Sequence, residues 1–313
     1  MIGRAVKSLM LIVLGIVILP VADAAPVNIS SFTLSKDFSN NSENVSIFVE
    51  GDSAPKIADQ YLAHPYLARS WQRLQTELSG SAGVTVKAVN GGPEIVFGNV
   101  QSAHSRSTAK VPVAIAALRH NFSKANRQRA QLAIQTSSNH AAERLWRSFG
   151  NRWVAGAATQ KVLRSGDDQS TKVGRAWSVF HWSNEGAVTF AANLACMTDP
   201  AAVYVYDQMG NIHPEQSWGL GRISDSHFKG GWMWEKKYAL QRQFGVFPKG
   251  DGSEIAVSML VQAKNLHSGQ NDLDLIAAWL YDHRDLLPGG KCSQSKDEFP
   301  PELVGVFRAA QNS

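Results

Sequence analysis

The sequence predicts an α+β fold: an antiparallel five-stranded sheet flanked by N- and C-terminal helices, with an all-helical lobe inserted between its strands. Three observations carry this reading. Hydrophobic periodicity runs α–β–β, then through a long helical stretch, then β–β–β–α. No internal repeat is visible, so the strands belong to one sheet and not to copies of a small unit. Of the 313 residues, 44% are hydrophobic and 18% charged, enough apolar material for a sizeable core and too little charge for wholesale disorder.

The elements follow in order. Residues 25–55 are rich in Ser and Asn, show little periodicity and read as a flexible arm. From Pro65, the residues Leu67, Trp71, Leu74 and Leu78 recur at helical spacing until Ser79-Gly80-Ser81. Val84, Val86 and Val89 form one strand; Asn90-Gly91-Gly92-Pro93 turns the chain, and Ile95 and Phe97 form a second. Residues 108–118 (TAKVPVAIAAL) form a nearly all-apolar helix, which implies burial on all sides. Helical segments follow around Ala130–Ser148, near Val154–Leu163 and over Gly186–Met197, with a loop from Arg164 to Arg175. Strands are predicted over 226–232, 238–247 and 254–262, the last two separated by Pro248-Lys249-Gly250-Asp251-Gly252. A helix over 271–283, with Leu273, Ile276, Ala277 and Leu280 on one face, closes the domain. The expected domains are therefore the arm at 25–55, a domain at 56–290 with its helical lobe at about 107–215, and a tail at 291–313. A cleft between the sheet and the lobe is the natural ligand site.

Several function classes drop out. The net charge of +5 is spread along the chain, and no zinc-finger, RNP or basic-helix pattern is present, so no nucleic-acid partner is expected. The mild basicity suits proximity to an anionic cell envelope. No HExxH pair occurs, and Cys196 and Cys292 lie too far apart for a CxxC motif, so neither a metal nor another cofactor is expected. Arg4 and Lys7 precede an apolar run of 11 residues, Leu9–Leu19, which ends at Pro20 before Ala22-Asp23-Ala24. This is the pattern of a secretory signal peptide over residues 1–24, too short to span a bilayer, and it predicts a secreted or envelope-associated protein. Export would permit a Cys196–Cys292 disulfide; two buried thiols are the other reading.

Three short motifs carry chemistry. Ser107-Thr108-Ala109-Lys110 places a lysine one turn from a serine at the start of the buried apolar helix. A lysine near apolar surface has a depressed pKa and can accept the hydroxyl proton, and a helix N-terminus leaves N–H groups for an oxyanion. The pattern S-x-x-K also occurs at Ser53–Lys56, Ser226–Lys229 and Ser293–Lys296, but only the copy at Ser107 opens such a helix. The second motif is Ser137-Ser138-Asn139, followed by HAAERLW, and the third is Lys229-Gly230-Gly231 on a strand leading into two more. In this order, over about residues 60–285, they resemble the serine active site of the β-lactamase, penicillin-binding-protein and DD-peptidase superfamily, with class A β-lactamases the nearest in pattern.

The resemblance implies a β-lactamase/transpeptidase-like fold and a serine hydrolase acting on a small-molecule or peptidoglycan-derived amide or ester, a β-lactam included. It makes Ser107 the nucleophile, Lys110 its base and Ser137 the proton relay to the leaving group. Asn139 would hold the substrate amide, and Lys229 would face a substrate carboxylate across the cleft. The N–H groups of Ser107 and of Trp232, which follows Gly231, would form the oxyanion hole. Three departures accompany it. Only 30 residues separate Ser107 from Ser137, about half the class A spacing, so the lobe should be trimmed. No Glu lies between Glu143 and Glu185, so the class A deacylating Glu is missing, and Asp167 and Asp168 suit turn or cap roles. Gly230 stands where a hydroxyl residue helps bind substrate carboxylate. Slow deacylation follows, and so does a rival reading, a catalytically weakened envelope-binding module of the same fold. His104 and His140 border the motifs as auxiliary bases or surface histidines. Trp232 and Trp234 share a strand face and either line the cleft or pack together.

Overall fold

The computed structural model describes residues 29–34, 45–50, 54–235 and 237–293. The expected signal peptide and most of the expected tail lie outside the described residues. The chain divides into two units, with the boundary between Leu62 and Ala63.

The first unit contains β1 (Ile29–Leu34) and β2 (Val45–Glu50), an antiparallel pair in which Ile29 faces Glu50 and Leu34 faces Val45. The stretch read as an arm with little periodicity therefore holds two strands. The alternation Val45, Ile47, Val49 against Ser46 and Glu50 is the strand signal that the Ser and Asn content masked. This unit also includes the start of α1 (Ala54–Glu77). That helix begins well before the predicted Pro65, which lies inside it. A proline lacks the N–H donor and marks a boundary in sequence, yet here the helix runs through it.

The second unit carries the expected sheet. β3 (Ser81–Ala88), β4 (Glu94–Gly98), β7 (His227–Trp234), β8 (Ala239–Pro248) and β9 (Glu254–Ala263) pair antiparallel in the order β4-β3-β9-β8-β7. β7 and β8 form a hairpin with Gly231 opposite Arg242 and Trp234 opposite Ala239. Two short strands, β5 (Ser102–His104) and β6 (His181–Ser183), form a separate antiparallel pair that three-residue runs do not reveal in sequence.

One face of the sheet packs on the second half of α1 and on α8 (Leu266–Asp282). Leu67, Trp71, Val84, Val257, Met259, Leu273, Ile276 and Leu280 form this layer. The other face meets α6 (Asn184–Leu194) and the helical lobe, whose centre is α2 (Lys110–His120). Every residue of α2 from Lys110 to Leu118 is buried; the apolar run Val111–Leu118 requires this, and Lys110 is buried with it. α3 (Lys124–Gln135), α4 (Asn139–Arg147), α5 (Arg152–Ser165) and α7 (Pro200–Met209) complete the lobe. The single helix expected around Ala130–Ser148 is thus two, broken at Thr136–Ser138. Ser137 adopts φ +57°, and the Ser138 side chain accepts the Ala141 N–H and caps α4.

Cys196, just past α6, is disulfide-bonded to Cys292 beyond α8, which settles the two readings of the cysteines. The bond closes a loop with a sequence separation of 96 residues. Replacing both cysteines by serine should lower the unfolding free energy in urea by about 2–4 kcal/mol, chiefly through the freed unfolded chain. A change within error would show that the link does not constrain the unfolded ensemble.

Candidate active site

The nucleophile turn is a 3₁₀ segment, Arg106–Ala109, that feeds directly into α2. Its path is held from both sides. Ser105 N–H donates to Phe180 O and Arg106 N–H to Ser178 O, so the irregular stretch before β6 brackets the turn. Arg242, fully buried on β8, donates to the carbonyls of Ala103, His104 and Trp182 and ties the β5–β6 pair to the sheet. Burial lowers the Arg242 pKa to about 9. Arg106 itself has φ +50°, a left-handed conformation that costs energy for a non-glycine residue. Ser137 shares this feature, so both motif serines sit at or next to a strained backbone position.

Four of the predicted residues converge on one ammonium position. Lys110 Nζ lies 2.9 Å from Ser107 Oγ, 3.1 Å from Ser137 Oγ, 2.5 Å from Ser137 O and 2.8 Å from Asn139 Oδ1. Lys229 Nζ approaches the same Ser137 Oγ at 3.1 Å and donates to Gly230 O at 2.9 Å. Ser137 thus stands between two lysines. Both lysines are buried. Desolvation lowers the Lys110 pKa from 10.5 to about 7. Desolvation, and then the charge of Lys110, holds Lys229 well below the ordinary lysine range. Lys110 can therefore be neutral near physiological pH and accept a proton from Ser107.

The strand register sets the direction of the Trp232 N–H, the second donor that the resemblance implied. Glu235 N–H donates to Tyr238 O at the hairpin end. Bonded and non-bonded pairs alternate in an antiparallel ladder, so Trp234, Trp232 and Gly230 direct their N–H and C=O groups away from β8. β7 is an edge strand, and Gly230 O is indeed free to meet Lys229. Gly231 lets this edge approach the nucleophile turn: a β-carbon there would stand 2.8 Å from Ser107 N and 3.1 Å from Thr108 N. Ser107 and Trp232 line one cavity, into which a backbone N–H from each could donate.

That cavity, about 690 Å³, is walled by Ser107, Ser137 and Asn139, by Trp177 from the loop before β6, and by Trp232 and Trp234. The two tryptophans of β7 are therefore cleft-wall residues; they are 50% and 53% exposed and not part of the core. Lys229 and Gly231 lie behind this wall. Sequence reasoning missed Arg106, Glu143, Trp177 and Gln216, which also line it. Glu143 was accessible to it, since it lies one helical turn beyond Asn139 on α4. Trp177 carries no such signal, because a loop has no period.

The carboxylates are engaged elsewhere. Asp168 is buried and accepts from Ser170 N, Ser170 Oγ, Thr171 N and Trp182 Nε1, which makes it a loop anchor. Asp167 occupies a turn at φ +65°. Glu143 accepts from Arg147 Nε at 2.6 Å and Trp177 Nε1 at 3.1 Å. Its desolvation is outweighed by these bonds and by the charges of Arg147 and Arg152, which hold its pKa below the usual glutamate value. His104 faces Arg106 and Glu235 at the rim, and His140 is exposed on α4; neither lines the cavity. Among the described residues, no group of three or more His, Cys, Asp or Glu could hold a metal ion.

No family model matches the sequence, and no curated protein matches it. Solved structures do match the fold. The β-lactamase from Chitinophaga pinensis aligns with a TM-score of 0.57 at 13% identity, over 69% of this chain and 98% of that one. The chromosome-encoded β-lactamase of Vibrio parahaemolyticus gives 0.56 at 13%, over 69% and 98%. A β-lactamase from Burkholderia vietnamiensis gives 0.58 at 11%, over 70% and 96%. The chain has a β-lactamase-like fold, as the motif order implied.

The close approach at Gly231 offers a test of whether Ser107 and Trp232 form an oxyanion pocket. Gly231→Ala should slow fluorophosphonate labelling of Ser107 by about 10²–10³-fold, the usual effect of losing one oxyanion donor. Near-UV circular dichroism should stay native. Labelling at the wild-type rate would show that the Ser107–Trp232 pocket does not hold the oxyanion.

Proposed function

We propose that this protein is an exported serine hydrolase that takes an acyl group from an ester or amide onto Ser107 and releases it slowly. The observation that carries this reading is the placement of Lys110 Nζ within 2.9 Å of Ser107 Oγ, with burial bringing its pKa to about 7. Cell-wall peptides and β-lactams are members of the substrate class. The apolar segment at residues 9–19 supports export, and so does the Cys196–Cys292 bond, which suits an oxidising compartment.

Ser107 Oγ attacks the acyl carbon while neutral Lys110 takes the hydroxyl proton. The carbonyl electron pair moves onto oxygen, which faces the N–H groups of Ser107 and Trp232. The tetrahedral species collapses and the acyl–nitrogen, acyl–oxygen or acyl–sulfur bond breaks, its electron pair going to the leaving atom. The leaving group is protonated by Ser137, which regains a proton from the lysine pair, so the proton taken from Ser107 departs with it. The Asn139 amide nitrogen, left free by the Oδ1 contact with Lys110, can donate to the substrate carbonyl beyond the scissile bond. Water then attacks the ester on Ser107, giving the carboxylic acid and the free enzyme.

That last step lacks an evident carboxylate base. Asp168 is committed to its loop, and the bonds and charges around Glu143 that hold its pKa down also make it a weak base. A general base contributes about 10²–10⁴-fold, so acyl-enzyme should accumulate. Mixing with an activated thioester should give a burst of one equivalent of thiol, then slow turnover, and intact-protein mass spectrometry should show one added acyl mass. Ser107→Ala should abolish the adduct, and Lys110→Ala should slow it by about 10⁴–10⁶-fold. Steady rapid hydrolysis without accumulation would contradict slow release, and no adduct with any activated acyl donor would favour the binding-module reading.

A further inference from the structure

The walls of the cavity differ in charge and polarity. A β-carbon on Gly230 would stand 2.9 Å from Trp218 Cη2 and 3.0 Å from Cζ2. The buried Trp218 ring thus fills the side of β7 on which a side chain at this position would lie. It is fixed there from the sheet. Gln243, opposite Gly230 on β8 and fully buried, donates to Trp218 O at 2.5 Å and accepts the Leu220 N–H at 2.8 Å. Between them Gly219 takes φ +59°, and a β-carbon there would meet Gln243 Oε1 at 2.3 Å. Arg222, on the same segment, is occupied by Asp274 at 3.1 Å.

The cationic side chains at the cavity and directly behind Ser107 and Ser137 are likewise engaged. Among the described residues that line the cavity, Arg106 is the one cation, and it is paired with Glu235 at 2.5 Å. Lys110 and Lys229 lie behind Ser107 and Ser137 and spend their donors on those serines, Asn139 and Gly230 O. Glu143, the one lining carboxylate, is paired with Arg147. An anionic group entering here would lose water without gaining an unpaired cation, which is unfavourable. The opposite wall is apolar and open: Trp232, Met233 and Trp234 are all exposed at the end of β7, and Trp177 faces the same space. Half-exposed rings at a cavity mouth are suited to covering an aromatic or extended apolar group.

We infer that Ser107 is acylated by uncharged esters, thioesters or amides that lay an aromatic or extended apolar group against Trp232 and Trp234, and that carboxylate-bearing acyl donors are poor substrates. The inference rests on the acyl-transfer reading above. The bond changes are those already given: the acyl–sulfur or acyl–oxygen bond breaks as the acyl–Oγ bond forms, and the leaving group departs with one proton.

Two phenylacetyl thioesters test it, one with methyl mercaptoacetate and one with mercaptoacetate as leaving thiol, alike except for one carboxylate. Fluorophosphonate labelling of Ser107 in the full chain separates the two levels of the argument: without labelling, the acyl-transfer reading itself fails. With labelling, kcat/KM for acylation, divided by each thioester's own rate of hydrolysis by hydroxide, should be at least about 30-fold higher for the neutral thioester. Equal values of this quotient, a preference for the anion, or reaction with neither thioester would overturn the inference. Two variants read the walls separately. Trp234→Ala should reduce the preference for phenylacetyl over acetyl thioester by about 5-fold. Gln216→Arg, which adds an unpaired cation to the lining, should raise the anionic-to-neutral ratio by about tenfold. If neither ratio moves in variants with native circular dichroism, these walls do not set specificity.

Discussion

The site depends on one constraint: two lysine side chains are buried on either side of a single serine hydroxyl. Lys110 and Lys229 both reach Ser137 Oγ at 3.1 Å and are almost wholly removed from water. Two ammonium groups so placed repel each other, and each loses hydration, so protons leave the pair far more easily than they leave a surface lysine. The unfolded chain holds those protons up to the ordinary lysine range, while the folded Lys110 releases its proton near 7. Between these values the unfolded state binds more protons, so stability rises with pH across that window and falls toward neutrality. The fold tolerates this cost because the same desolvation creates a neutral amine beside Ser107.

Each neighbouring element serves that arrangement. α2, apolar from Val111 to Leu118 and buried throughout that run, carries Lys110 as its first residue, so the amine lies at the N-terminal end of a buried helix. The break between α3 and α4 turns Ser137 back toward it, at the expense of a left-handed backbone, and Ser138 offsets part of this by capping α4. β7, as the edge strand, brings Lys229 from the sheet side and leaves alternate N–H groups unpaired for an oxyanion. Gly231 is required where that edge crosses the nucleophile turn. The sheet and the lobe are thus joined chemically at the point where they meet, and the cavity opens directly above the junction.

Much of this was legible in the sequence, for reasons that can be named. The sheet followed from short runs rich in β-branched and aromatic residues, bounded by Gly, Pro and Asn turns, at 84–97, 226–232, 238–247 and 254–262; β8 and β9 are buried on both faces, so they read as nearly continuous runs and not as alternation. Ser107, Lys110, Ser137, Asn139 and Lys229 stand together in space because their motifs fall on the elements whose order the periodicity gave. What escaped was non-local or strained. The helix break at Ser137 lies inside a run with helical composition, and only a capping bond and a positive φ create it. α1 runs through Pro65 against the local rule. β5 and β6 are held by Arg242 donating from β8, a contact that three-residue strands do not announce. The partners of Asp168 and Glu143 are likewise tertiary, and they decide that neither carboxylate is a ready base.

The central claim is that burial makes Lys110 the base for Ser107. It is tested most directly by the pH dependence of the rate at which a neutral fluorophosphonate labels Ser107, measured from pH 5 to 10. The account predicts a rate that climbs about tenfold per pH unit below an apparent pKa near 7, then levels off. A rate still climbing at pH 9, as expected for a solvated lysine or for unassisted serine, would contradict it.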